Sequence, residues 1–102
     1  MTNIIEIFLP LDTRTGRPID LEVIEGIVKG LADRFGGATA YTREPAEGFW
    51  KRAMSIERDR IIIVEVLVDE IDEVWWHDYR LRLESEFEQD KVLIRVTPCR
   101  VL

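Results

Sequence analysis

The strongest strand signal in the chain is RIIIVEVLV, residues 60–68. It is rich in β-branched residues, and side chains along a strand point alternately to the two faces of a sheet. The even-numbered residues from 62 to 68 are all aliphatic, whereas the odd-numbered residues from 61 to 67 include Glu65. An unpaired carboxylate beneath packed helices is costly, so we expect the face that bears Glu65 to be free of helices.

Three weaker strand signals surround this segment. Residues 4–9 alternate in the same way and are stopped by Pro10, residues 38–42 form a short second strand, and residues 92–96 form a last strand ended by Pro98. Proline has no N–H to donate to a strand ladder, so it is a natural stop for each strand.

Two segments carry apolar residues at helical spacing. The first covers residues 21–35, with Asp20 as its N-cap and two glycines, 36 and 37, at its end. The second begins after Asp69, a second N-cap candidate, and runs to about Gln89. Its predicted core side carries Trp76, Tyr79, Leu83 and Phe87.

The order strand, helix, strand, strand, helix, strand is typical of the α+β ferredoxin-like βαββαβ sandwich. Right-handed crossovers predict a four-stranded antiparallel sheet in the order 4-1-3-2, with both helices on one face. A chain of 102 residues with 46% hydrophobic residues is expected to form one such domain, residues 1–102.

Composition argues against several classes of function. The net charge is −6, and most of the excess acid lies in residues 69–90, so a broad phosphate-binding surface for nucleic acid is not expected. No apolar run is long enough for a membrane span, and no targeting segment is recognised, so we expect a cytoplasmic protein. The single cysteine, Cys99, has no partner for a disulfide, and no motif calls for a metal or a cofactor.

The open face of the predicted sheet carries the first set of candidate site residues. The alternation of the strands places Glu6, Glu65 and Arg95 together on this face, among large aliphatic and aromatic side chains. Two carboxylates and an arginine there could form an acid/base pair or an anion site, or a cross-strand ladder of ion pairs, and we favour the ladder. The candidates for a pocket or interface on the strands are Glu6, Phe8, Tyr41, Glu65 and Arg95.

Residues 43–52 contain Pro45 and Gly48 and are predicted to be an irregular loop. The segment places an aromatic pair beside two cations, and these four candidates are Phe49, Trp50, Lys51 and Arg52. They could form a lid or a stacking platform over a ligand. We favour instead a structural role, in which Trp50 anchors the loop to the sheet edge.

Three segments together resemble a group of small bacterial proteins of unassigned function that share a GGAT…GxW pattern. They are FGGAT at residues 35–39, GFW at residues 48–50 and FEQDKV at residues 87–92. The resemblance implies the ferredoxin-like fold and a bacterial source, and it brings no catalytic residue to this chain.

Other families with this layout have requirements that can be checked against the chain. A tautomerase-like enzyme would have proline directly after Met1, where this chain has Thr2. A CRISPR-associated nuclease of similar size would have an aspartate at the end of its first strand, where this chain has Leu9 and Pro10. Dimeric α/β-barrel proteins join two open sheets face to face, which the apolar open face permits.

Taken together, the residues favour a non-catalytic binding or protein-interaction module that self-associates as a homodimer or larger oligomer, through its open face or by pairing edge strands. The alternative is a small cofactor-independent enzyme or ligand-binding protein of the dimeric α/β-barrel type, with a small-molecule pocket between the open face and the 43–52 loop. No catalytic residue is assigned, and whether the protein is an enzyme is left open.

Overall fold

The computed structural model describes the backbone of residues 1–52 and 55–102 and the side chains of residues 1–41 and 60–102. The elements, in chain order, are β1 (Thr2–Pro10), α1 (Leu21–Phe35), β2 (Thr39–Arg52), β3 (Ser55–Val68), α2 (Glu73–Glu86) and β4 (Ile94–Cys99). The strands form one antiparallel sheet in the order β2-β3-β1-β4, which is the predicted order 4-1-3-2 from the other edge. The ferredoxin-like fold is confirmed.

The core lies between the helices and the sheet face formed by the aliphatic residues of β1 and β3. Ile5, Ile7 and Leu9 of β1 are fully buried, and the even-numbered residues 62–68 of β3 lie beside them. The four residues predicted for the core side of α2 are also buried. The predicted assignment of the two faces is therefore confirmed, and Glu65 lies on the face away from the helices.

Helix α1 begins and ends where the sequence predicts. Asp20 occupies the N-cap position, although its side chain accepts no capping hydrogen bond. Gly36 has φ 81°, and its N–H donates to the carbonyl oxygen of Ala32 at 2.8 Å. A left-handed residue at this position favours glycine because glycine has no Cβ.

Helix α2 is shorter than predicted at both ends. It begins at Glu73, because Asp72 is the N-cap and its Oδ1 accepts a hydrogen bond from the backbone N–H of Trp75 at 3.0 Å. Asp69 instead accepts a hydrogen bond from Thr2 at the start of β1. The left-handed backbone of Glu88, with φ 50°, follows the end of the helix. No helix in the described part of the chain is long and apolar enough to cross a membrane.

Strand β4 begins and ends later than predicted. The N–H of Val92 donates to Oε2 of Glu84 at 2.9 Å, so Val92 is buried but lies outside the strand. Pro98 lies within β4, opposite Asn3 of β1. The carbonyl oxygen of Leu93 accepts a hydrogen bond from the N–H of Phe8. The backbone groups of the odd-numbered residues of β4 therefore face β1, and those of the even-numbered residues face outward. The missing N–H of Pro98 thus lies on the outer edge, where it interrupts no ladder.

The prediction of an irregular loop at residues 43–52 is wrong. The backbone of β2 runs to Arg52, and residues 46–52 pair with residues 55–61 of β3 in a long hairpin. The register shifts between Tyr41 and Ala46, at the place where Pro45 interrupts the ladder. β2 is an edge strand, where proline is tolerated because one side of the strand has no ladder to satisfy.

Candidate functional site

A row of polar residues crosses the open face of the sheet, which is the face opposite the helices. Cross-strand register aligns Arg95 of β4 with Glu6 of β1, Glu6 with Glu65 of β3, and Glu65 with Thr39 of β2. We call these four residues the polar row. The sequence placed three of them on one face, and the register shows that they are direct neighbours.

Arg95 and Glu6 form an ion pair within this row. Both Nε and Nη2 of Arg95 lie 3.0 Å from Oε1 of Glu6. The side chain of Glu6 is 17% exposed and that of Arg95 is 57% exposed. The guanidinium also lies over the ring of Phe8, 5.2 Å from its centroid, so one cation stabilises a carboxylate and covers an aromatic face. This half of the predicted ladder is present in the structure.

Glu65 has a different environment from Glu6. Among the described side chains, no basic group forms an ion pair with Glu65. Its interaction is with Tyr41: the charge of Glu65, and next its hydrogen bond to the hydroxyl, raise the pKa of Tyr41 above its usual value. The described neighbours of Glu65 are therefore one neutral donor, Tyr41, and the carboxylate of Glu6 directly opposite.

Apolar rows flank the polar row on both sides. On one side Ile4 lies between Leu67 of β3 and Thr97 of β4. On the other side Phe8 lies opposite Ile63, and the hydrogen bond from its N–H places Leu93 beside it. Leu67 and Tyr41 are each 50% exposed. The open face thus presents charged groups inside an apolar border.

A depression of about 440 Å³ lies at one end of the polar row. Its lining includes Gly36, Gly37 and Thr39, from the GGAT segment, together with Glu65 and Leu67. Sequence analysis had used the GGAT segment only as a family mark. The signal that could have placed it at the site was the alternation of β2, which puts Thr39 and Tyr41 on the same face.

The remaining sequence candidates fall on β2. Backbone pairing aligns Phe49 with Arg58, Trp50 with Glu57, Lys51 with Ile56 and Arg52 with Ser55. Their side chains lie outside the described residues, so the lid and the anchoring role of Trp50 stay predictions. The 43–52 segment that was predicted to border a pocket is strand, and the pocket itself stays a prediction.

A larger cleft, of about 660 Å³, lies between the two helices. Its aromatic floor is already packed: Trp75 stacks on Tyr79 with ring centroids 4.8 Å apart, Arg34 lies over Trp75, and Arg82 lies over Tyr79. Burial raises the pKa of Tyr79 to about 12. Arg34 and Arg82 thus already cover the two rings of this stack, so we do not take the cleft as the candidate site.

The described residues offer little other reactive chemistry. His77 is exposed, and its Nδ1 lies 3.5 Å from Nη2 of Arg80. Cys99 is a free, partly buried thiol. Among the described side chains, no group of three His, Cys, Asp or Glu residues is arranged to hold a metal ion.

Comparison with known proteins gives a likeness to solved structures. No protein-family model and no curated protein matches the chain. A solved structure of a phage SAM lyase in complex with S-methyl-5'-thioadenosine is similar in fold, with a TM-score of 0.65 over 94% of this chain and 80% of that one. The two sequences are 13% identical, so the likeness supports the fold alone.

Proposed function

We propose that this protein is a self-associating binding module and that the open face is its interface. The observation that carries the proposal is the border of large apolar side chains on the face opposite the helices, in which Leu67 is half exposed and Ile4, Phe8 and Ile63 are partly exposed. Apolar patches of this kind on a sheet are usually covered by another protein surface. The cytoplasmic and bacterial setting expected from the sequence stays a prediction.

The outer edge of β4 is poorly suited to pairing with another strand, and this favours the open face as the place of association. The backbone groups that point outward belong to the even-numbered residues, which leaves the N–H groups of Ile94 and Val96 and a proline at position 98. A short edge that ends in proline is a common protection against pairing with another strand. This argues against edge pairing through β4, and of the two modes expected from the sequence we propose the face-to-face mode.

Two leucines allow a matched test of the interface. Leu67 lies on the open face and is 50% exposed, and Leu81 lies on α2 and is 48% exposed. We expect the unmodified protein to have at least a dimer mass by light scattering at micromolar concentration, Leu67→Glu to be monomeric, and Leu81→Glu to retain the dimer. A monomeric unmodified protein, or two variants with the same mass, would contradict the proposal.

A second candidate function is the binding, or the chemical conversion, of a small cationic molecule on the same face. Glu65 favours it, because this carboxylate lacks a basic partner among the described residues and lies beside the Tyr41 hydroxyl and a depression. S-Adenosylmethionine is a suitable probe: its sulfonium is cationic, and the structural neighbour is described as a SAM lyase. S-Methyl-5'-thioadenosine, a neutral thioether that lacks both the sulfonium and the amino-acid chain, is the uncharged comparison.

Titration calorimetry tests this second candidate. We expect Glu65→Gln to weaken binding of S-adenosylmethionine at least about tenfold, which corresponds to about 1.4 kcal/mol, and to leave S-methyl-5'-thioadenosine nearly unaffected. Glu70→Gln is the control, since Glu70 is exposed and lies outside the sheet. Absence of binding by both probes, or equal effects of the two variants, would reject the candidate.

A further inference from the structure

We infer that the partner on the open face is a second copy of this chain. The two sheets stack face to face about a two-fold axis that lies between them and runs parallel to β1, directly above it; we call this the axis along β1. Arg95 of each protomer then pairs with Glu65 of the partner subunit. This inference rests on the proposed self-association and adds a register and a charge pair to it. It is carried by the complementarity of the polar row with itself.

The polar row contains one donor and one acceptor that remain available to a partner. Arg95 uses Nε and Nη2 for Glu6, and its other amino group forms no hydrogen bond with the described residues. Glu65 has no basic partner among them. A two-fold interface places the same patch on both sides, so a patch that holds both an unused donor and an uncompensated acceptor can complement itself twice.

Symmetry separates the possible registers by charge. An axis across the strands through the row would place each carboxylate over its own copy. An axis between β1 and β3 would place Glu6 over Glu65 of the partner subunit, again bringing acids together. An axis along β1 places Arg95 over Glu65 of the partner subunit, because β3 and β4 lie on opposite sides of β1. Glu6, which Arg95 of its own chain already pairs, then lies over its own copy. An axis between β1 and β4 would place Arg95 over Glu6 of the partner subunit and leave Glu65 without a cation across the interface, so among these axes only the one along β1 gives Glu65 a cation. Each arginine then contacts one carboxylate within its chain and one across the interface.

The flanking rows fit the same register. With the axis along β1, Phe8 lies over its own copy, and Ile63 lies over Leu93 of the partner subunit. Ile4 also lies over its own copy, and Leu67 lies over the methyl group of Thr97 of the partner subunit. Packed sheets lie about 10 Å apart, a distance that interdigitating Arg and Glu side chains can span. Apolar contacts on both sides would then exclude water from the two charge pairs.

A charge exchange tests this register. Arg95→Glu and Glu65→Arg should each weaken dimerisation at least about tenfold, measured by sedimentation velocity, and the double variant should recover most of the lost affinity. The double variant restores the cross-subunit pair with its signs reversed and also pairs position 65 with Glu6. Arg100→Glu, at an exposed position, controls for the change of net charge and should leave affinity unchanged. Circular dichroism melts verify that each variant is folded.

The outcomes separate this inference from the proposed function. A dimer that Leu67→Glu disrupts, together with a double variant no tighter than the two single variants, would overturn the register while the open-face interface stands. A monomeric unmodified protein would overturn both. Weakened dimerisation in both single variants, with affinity recovered in the double variant, would support the cross-subunit pair.

Discussion

At the scale of single residues, the carboxylates of Glu6 and Glu65 are opposite each other on neighbouring strands and are stabilised differently. Glu6 has Arg95, whereas Glu65 has the hydroxyl of Tyr41. Like charges directly opposite in a sheet are destabilising, so the single arginine at the end of the row lowers the cost of both acids.

Removal of that arginine should be more harmful than removal of the whole charged set. Arg95→Met leaves two carboxylates without a described cation, and we expect it to lower the free energy of unfolding near neutral pH by about 1–2 kcal/mol, between the values for exposed and buried pairs. Glu6→Leu/Glu65→Leu/Arg95→Met should cost much less. Urea unfolding measures both, and a triple variant no more stable than Arg95→Met would contradict the ladder.

Tyr79 provides a pH-dependent prediction. Its pKa is raised to about 12, chiefly by burial, from a usual value of 10.0. Below pH 10 the tyrosine is protonated in both the folded and unfolded states. Between about pH 10 and 12 the unfolded chain releases the proton first, so stability falls as pH rises through this window. Tyr79→Phe should lose less stability between pH 9 and 11.5 than the unmodified protein, as measured by urea unfolding, and equal losses would contradict the assignment.

At the scale of the elements, the pattern of residues along the chain predicted the existence and type of all six elements, and tertiary contacts decided where several of them end. Asp69 and Asp72 are both suitable N-caps. Asp69 accepts a hydrogen bond from Thr2, which is distant in sequence, whereas Asp72 accepts one from the N–H of Trp75 and caps the helix. The hairpin was missed because Pro45 and Gly48 resemble loop residues, and only pairing with β3 keeps this segment extended.

The two helix N-caps give a matched pair of variants. Asp72 accepts a hydrogen bond from the N–H of Trp75, whereas Asp20 makes no side-chain capping bond. Asp72→Ala should lower the free energy of unfolding by about 1 kcal/mol, and Asp20→Ala by no more than the few tenths that a charge near a helix N-terminus contributes. Chemical denaturation compares them, and equal losses would show that the Asp72 bond contributes nothing specific.

At the scale of the whole molecule, the alternation of two strands determined which side the helices cover and where the polar row lies. Alternation gives a face but no register. Strand offsets decide three features of the site. They bring Arg95 into contact with Glu6, separate Glu65 from the described cations, and place Thr39 beside the GGAT depression. Pattern in a single strand contains no information about these offsets.

The net charge of −6 yields a prediction for the proposed assembly as a whole. Two copies repel each other at long range, whereas an apolar interface and covered ion pairs are screened little by salt. Raising NaCl from about 50 to 500 mM shortens the Debye length several-fold, so we expect the dimer to become tighter by several-fold. Sedimentation equilibrium at the two salt concentrations measures this change, with Leu67→Glu as the control that stays monomeric at both. A dimer that weakens steadily with salt would instead be held together by exposed ion pairs, because only these lose most of their attraction on screening.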